Sequence, residues 1–206
     1  QAKHSFSFAS YRDEEWTNFG ALCVLNEDRI APGRGFDMHS HENMEIITIL
    51  HSGQMKHRDD LGNEHLLNVG EVQVMTAGTG ITHSEWNPSE SEEAHLYQIW
   101  IHPEKLNLKP DYNQLRIDES QGVLVSKHDG GLYLNQQARL SYGELQSGEN
   151  KEWHAMGQKV YLQLMEGKVQ VDEKVIEAGD ALLLSDERLE LRVLDKTRFL
   201  EIRLGE

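Results

Sequence analysis

Short runs of alternating apolar and polar residues recur along the whole chain, each cut off by a turn signal. No segment keeps a 3.6-residue period over a helical length. Residues 21–25, 44–50, 72–75 and 95–101 read as strands in the first half, and residues 160–165, 181–184, 189–194 and 199–202 in the second. Turn signals fall at Pro32-Gly33, at residues 59–63, at Gly78-Thr79-Gly80 and at Gly130-Gly131. Many short strands at this spacing predict an all-β fold built as a sandwich or barrel.

The two halves look alike. Leu50-His51-Ser52-Gly53 followed by Asn68-Val69-Gly70-Glu71-Val72 resembles Leu164-Met165-Glu166-Gly167 followed by Glu177-Ala178-Gly179-Asp180-Ala181. The wider spacing in the first half fits a longer hairpin tip around residues 59–63. This pattern predicts two tandem copies of one β-barrel. Residues 103–122 are polar, contain Pro103 and Pro110, and read as the connection between a domain of residues 1–120 and one of residues 121–206. A chain of 206 residues buries roughly 70% of its unfolded surface without a metal or disulfide staple, so a metal site here is expected to be functional.

The chain carries 20 Lys+Arg against 35 Asp+Glu, a formal charge of −15, and protonating all 11 histidines would leave it negative. That excludes an unaided grip on a nucleic-acid backbone and opposes an acidic membrane surface. No run approaches the roughly 20 apolar residues of a spanning helix, and no signal-peptide pattern opens the chain. The single cysteine, Cys23, sits in an apolar run, cannot form an internal disulfide, and reads as core; a reducing cytoplasm is the expected location. Residue 1 is Gln rather than Met, so an upstream strand is expected to lie outside the given sequence.

Two histidine motifs carry the chemistry. In His39-Ser40-His41 an extended backbone points both imidazoles to one face, and in His83-Ser84-Glu85 it does the same for an imidazole and a carboxylate. Three imidazoles and a carboxylate suit a first-row divalent metal and leave up to two octahedral positions open. One His-x-His in a chain with 11 histidines is unremarkable and by itself reads as a surface pair; the glycine spacings around the two motifs change that weighting. Strand parity also puts Glu45 on the face of His41, which leaves it either a ligand or a pocket residue. Met38 and Trp86 adjoin the motifs and are candidates for the pocket mouth, while His51, His57, His65 and His128 read as solvated. Gly-x-Ser-x-Gly and phosphate-binding glycine loops are absent.

The spacings Gly33 to His39, and Gly78-x-Gly80 to His83 and Asn87, resemble the two motifs of the cupin superfamily. A Gly stands where the second motif usually carries Pro, and Gly53 comes one residue late. The runs Gly33-Arg34-Gly35-Phe36-Asp37-Met38-His39-Ser40-His41-Glu42-Asn43-Met44-Glu45, Met75-Thr76-Ala77-Gly78-Thr79-Gly80-Ile81-Thr82-His83-Ser84-Glu85 and His4-Ser5-Phe6-Ser7-Phe8-Ala9 resemble the pirins. Leu96-Tyr97-Gln98-Ile99-Trp100-Ile101 is similar to their bacterial members. The resemblance implies a bicupin of two jelly-roll barrels, the first holding one non-haem Fe(II) through His39, His41, His83 and Glu85, with Zn, Ni, Cu, Co or Mn able to substitute. It further implies quercetin 2,3-dioxygenase activity on a flavonol and O₂, with Glu85 or Glu45 accepting the substrate proton. The alternative it implies is a non-catalytic, metal- and redox-dependent regulator acting through a protein partner. Metal-free cupin isomerases fit less well, because the ligand set is complete. Counting the same offsets in the second half lands on Trp153, Ala155, Arg192 and Leu194, which cannot bind metal, so one metal per chain is expected.

Overall fold

The structure, a computed structural model, describes residues 1–117 and 122–205. Among these residues every regular element is a β-strand. No helix is long and apolar enough to cross a membrane. The chain divides into two compact units, the first made of Gln1–Ile117 and Leu132–Gln136 and the second of the described residues 122–131 and 137–205. The expected boundary at residues 120 and 121 lies outside the described residues, and residues 132–136 depart from a single cut by belonging to the first unit.

The first unit contains β1 (Ala2–His4), β2 (Leu22–Ile30), β3 (Gly35–His41), β4 (Glu45–Ser52), β5 (Gln54–Asp59), β6 (Glu64–Asn68), β7 (Glu71–Thr76), β8 (Ile81–Trp86), β9 (Ala94–Ile101) and β10 (Asp111–Arg116). They form one sheet in the order β1-β2-β9-β4-β7-β10 and another in the order β3-β8-β5-β6. The second unit contains β11 (Val123–Ser126), β13 (Ala138–Leu145), β14 (Asn150–His154), β15 (Lys159–Glu166), β16 (Lys168–Val171), β17 (Lys174–Glu177), β18 (Ala181–Ser185), β19 (Arg188–Val193) and β20 (Thr197–Leu204), while the short β12 (Leu132–Tyr133) falls within the first unit's residues 132–136. In the second unit β13-β20-β15-β18 repeats the order β2-β9-β4-β7, and β14-β19-β16-β17 repeats β3-β8-β5-β6. The duplication expected from the repeated glycine motifs is therefore a duplication of topology.

Residues 103–122 are not simply a connection. Within them β10 pairs antiparallel with β7, Asp111 opposite Thr76 and Arg116 opposite Glu71. Its residues Asp111, Asn113, Gln114 and Arg116 are polar, which hid the strand; the inward Tyr112 is buried against Ile46, Met75 and Ile81. Strand β4 is buried on both faces from Glu45 to Leu50, so it reads as a continuous apolar run rather than an alternating one.

The inner faces of the two units differ in kind. In the second unit Trp153, Ala155, Leu162, Leu164, Leu191 and Val193 pack into a hydrocarbon core. The inward positions of β19 are Leu191 and Val193, with Arg192 exposed, so the counted equivalents Arg192 and Leu194 are one residue out of step. The inward residues at these positions, Trp153, Leu191 and Val193, carry hydrocarbon or indole side chains. Both clusters of metal-ligating side chains found among the described residues lie in the first unit.

The repeated glycine has the same role in each unit. Gly53 closes the β4–β5 turn at φ 79°, and a Cβ there would lie 2.7 Å from the Ala94 Cα. Gly167 closes the β15–β16 turn at φ 85°, and a Cβ would lie 2.3 Å from the Lys196 carbonyl oxygen. Gly70, at φ 81°, has open space around it. Gly70→Ala should cost about 1 kcal/mol from left-handed strain alone, whereas Gly53→Ala should cost at least about 2–3 kcal/mol because backbone must also move. Urea unfolding of the two variants measures the difference.

Candidate metal centre

Strands β3 and β8 carry the histidine motifs and pair with each other, His39 opposite His83. The pairing slips by one residue between Phe36 and His39, a bulge that gives β3 an extra residue. The bulge aims the carbonyl of Asp37 at His39, whose Nδ1 lies 2.6 Å from it. A carbonyl only accepts, so Nδ1 carries the proton and Nε2 keeps its lone pair. Gly35 stands against β8 with no room for a side chain: a Cβ would lie 2.1 Å from the carbonyl oxygen of Glu85. The close approach of the two strands thus depends on glycine at that position.

The alternation expected for these strands holds. His83 and Glu85 are buried, Thr82 and Ser84 only partly. The rings of His39 and His83 are 4.5 Å apart between centroids, those of His39 and His41 4.7 Å, and those of His41 and His83 5.0 Å. One donor atom from each of these three histidines lies within 4.8 Å of the other two. A second set within the same limit joins His83 to Glu85 and His57. His83 is therefore the hinge of the cluster, and Glu85 adjoins the imidazole triad through it.

Burial, and then the neighbouring His39, pushes the His41 imidazole down to about 4. Burial, then His39, His57 and His41, pushes His83 down to about 2. Both rings are neutral near pH 7, which is the form that ligates metal. Nε2 of His83 is buried and has no hydrogen-bond partner, an expensive state for a polar nitrogen unless something binds it. Neutral imidazoles with free nitrogens beside a carboxylate fit a divalent metal ion.

Glu85 is held from the opposite sheet. Its Oε1 accepts from Gln73 Nε2 at 2.8 Å and Thr48 Oγ1 at 3.3 Å, and its Oε2 from Gln98 Nε2 at 2.6 Å. These donors lie side by side: Asn26 pairs with Gln98, Gln98 with Thr48, Thr48 with Gln73, and Gln73 with Gln114. A single row of polar side chains thus crosses the inner face of the sheet at the level of the carboxylate. Tyr112 extends it by donating to Gln73 Oε1 at 3.0 Å. Sequence reasoning missed this row, although each member interrupts an apolar strand at an inward position.

Glu45 does not join the cluster. Thr48 faces the interior, so Glu45, three residues away on the same strand, points to the opposite face. Its Oε2 accepts from Thr76 Oγ1 at 3.1 Å and from the backbone N–H and Nδ2 of Asn135 at 3.2 Å. Parity failed because the chain turns a corner after His41, with Asn43 in the left-handed region at φ 50°. Asn87 is also structural: its amide donates to the carbonyls of Ile30 and Glu92 and its oxygen accepts from the Ser89 N–H.

His57, expected to be solvated, is 1% exposed. Strand β5 alternates without a break, Met55, His57 and Asp59 inward and Lys56 and Arg58 outward. His57 stacks on Tyr112 at 4.3 Å between centroids. Its place in a polar stretch near the turn at residues 59–63 suggests a solvated ring; the period-2 pattern is the signal that identifies an inward imidazole.

A cavity of about 510 Å³ opens beside His39 and His41. Phe8, Phe36, Met38 and Trp100 form its apolar wall, and Asn26, Asp28 and Gln98 its polar one. Met38 lines the cavity as expected, while Trp86 is surface-exposed and does not. Asp28 is 5% exposed, and burial pushes its carboxyl up to about 6 against the opposing pull of His4. Cys23 is half-buried beside Met44 and the Trp100 carbonyl, and burial raises its thiol to about 11, which keeps it protonated.

Residues 1–101 match the family model described as Pirin, and residues 123–204 the one described as the quercetinase C-terminal cupin domain. Quercetin 2,3-dioxygenase of Escherichia coli (strain K12) is 40% identical over 190 residues, covering 90% of this chain and 82% of that protein. The pirin-like protein of Caulobacter vibrioides is 38% identical over 197 residues, covering 91% of this chain and 84% of that protein. The crystal structure of YhhW from Escherichia coli superposes with a TM-score of 0.92 at 38% identity over 98% of this chain and 89% of that one. That of bacterial pirin YhhW in complex with nickel(II) gives 0.91 at 37% identity over 99% of this chain and 91% of that one. With two barrels of one topology and a divalent-metal cluster in the first, the chain belongs to the pirin family and is a bicupin.

Proposed function

We propose that this protein is a dioxygenase that opens the central ring of a flavonol with O₂, using iron(II) held by His39, His41, His83 and Glu85. Both oxygen atoms enter the organic product and one ring carbon leaves as carbon monoxide. The observation that carries the reading is the cavity on the open side of the histidine triad. Its volume falls within the range of small-molecule sites, and Phe8, Phe36 and Trp100 suit a flat aromatic ligand. The metal, when bound, supplies a Lewis acid for the adjacent hydroxyl and carbonyl oxygens of the flavonol and a redox centre for O₂.

The chain's own residues perform the remaining tasks. The aromatic wall stacks the substrate and excludes water from its face. The polar row holds the Glu85 carboxylate in one orientation. Asp28 replaces Glu45 as the carboxylate placed to take the substrate's hydroxyl proton, because it lines the cavity and Glu45 faces away from it. A carboxyl raised to about 6 is still a base at neutral pH, and a stronger one than an ordinary aspartate.

Metal-free protein reconstituted anaerobically with ferrous iron should consume one O₂ per flavonol bleached, followed with an O₂ electrode and by absorbance. Anaerobic loading matters because O₂ would oxidise the ferrous iron before it is bound, and the buffers must be free of nickel, copper and zinc, which bind such a site more tightly than iron. No turnover with iron, manganese, cobalt, nickel or copper would leave the non-catalytic regulator as the better reading. His39→Ala should lose most of its bound metal in elemental analysis, and full retention would contradict the ligand assignment.

Asp28 also makes a prediction about stability. Its folded carboxyl titrates above the unfolded one, so the folded state binds this proton more tightly. The stability it contributes is present below about pH 4 and lost as pH rises through about 6. Asp28→Asn should therefore stabilise the metal-free protein at pH 7 by about 1–3 kcal/mol, with no gain at pH 4. Flavonol turnover should fall at the same time. Denaturant unfolding of parent and variant at the two pH values tests the first part, and a gain over the parent no larger at pH 7 than at pH 4 would contradict it.

A further inference from the structure

The reading that His83 ligates a metal leaves a question about its other nitrogen. An imidazole presents a lone pair at one nitrogen only when the proton sits on the other, and something must hold it there. Nε2 of His83 is the buried nitrogen without a partner, and Nδ1 faces Nδ1 of His57 at 3.5 Å. His57 in turn places Nε2 3.1 Å from Oδ2 of Asp59. A carboxylate oxygen only accepts, so His57 carries its proton on Nε2 and turns the lone pair of Nδ1 towards His83. His83 then donates from Nδ1, and its Nε2 lone pair is left for the metal.

The far end of this chain is fixed by backbone. Oδ1 of Asp59 accepts from the N–H groups of Leu61 at 3.0 Å and Asn63 at 2.9 Å, and Asn63 Nδ2 donates to Oδ2 at 2.8 Å. Asp59 and His57 are both almost wholly buried. They sit on β5 opposite the proposed ligands, Asp59 paired with His83 and His57 with Glu85. The Tyr112 ring stacked on His57 also hydrogen-bonds to Gln73, which holds Glu85.

We infer that His57, oriented by Asp59, is a positioning residue that sets the tautomer of His83 and presents its Nε2 to the metal. The inference rests on His83 being a ligand. It makes an unusual demand on an isosteric change. In Asp59→Asn the atom facing the Leu61 and Asn63 N–H groups must remain the oxygen, so the amide nitrogen faces His57. That nitrogen donates, which forces His57 to carry its proton on Nδ1 and His83 to carry its own on Nε2. The ligand lone pair is then turned away from the site without any loss of volume.

The test is a cobalt(II) titration of the metal-free full chain, with affinity from competition against a chromophoric chelator and coordination from the visible d–d bands. Asp59→Asn and His57→Phe, which keeps a ring against Tyr112, should bind cobalt about 10–100-fold more weakly, with altered bands. His57→Asn keeps an oxygen acceptor at the position of Nδ1 and should stay within a few-fold of the parent. Melting of the metal-free proteins reports folding separately; if His57→Phe does not fold, Asp59→Asn and His57→Asn decide. Parent-like affinity and bands in Asp59→Asn would overturn the inference. Loss in His57→Asn as large as in His57→Phe would overturn it too, showing that His57 itself ligates. A parent that takes up no cobalt, or a His39→Ala variant that binds like the parent, would instead refute the metal-site reading.

Discussion

One buried carboxylate sets the terms for the first barrel. Glu85 is 2% exposed on the inner wall, where an unpaired charge costs far more than one site can bear. The barrel answers with neutral donors, Thr48, Gln73 and Gln98, each on a different strand. Those donors meet the carboxylate only if β4, β7 and β9 keep their mutual register. A slip of one residue would turn each amide outward and leave the charge alone. The carboxylate therefore makes register a matter of function as well as stability, and the tight turn at Gly53 and the bulge in β3 are part of the same requirement.

The second barrel shows what the fold does without that demand. It repeats the strand order, but its inner face is filled by Trp153, Leu162, Leu164, Leu191 and Val193. Hydrocarbon packing alone therefore builds this topology. The first unit has given up part of such a core for a polar row, imidazoles and a cavity wall that includes Asp28, a group burial makes harder to ionise. Destabilising groups gathered on one wall of one barrel are what a working site looks like.

Much of this was legible in the residues. Alternating runs identified strands in both halves, and the repeated glycine motifs identified the duplication. The His39/His41 and His83/Glu85 spacings placed four side chains on inward faces, because a strand's period of 2 holds as long as the strand does. Where a strand stops, the rule stops. Glu45 lies beyond the corner at Asn43, and its parity reversed. In β10 four polar residues of six concealed a strand whose inward Tyr112 is core. His57 looks solvated in its polar stretch near a turn, yet the alternation of β5 turns it inward.

The sequence by itself determined the strand content, the internal repeat, the net charge and which short segments could hold a metal, all properties that depend on neighbours along the chain. Tertiary structure alone decided that Thr48, Gln73 and Gln98 hold Glu85, that Asp59 and His57 reach His83, and that Asp28 rather than Glu45 faces the cavity. Most of those relations join different strands, Gln73 and Gln98 to Glu85 at 2.8 and 2.6 Å, Thr48 to Glu85 at 3.3 Å and His57 to His83 at 3.5 Å. At that length a contact depends on which strands are neighbours and in what register, and only the closed barrel fixes either.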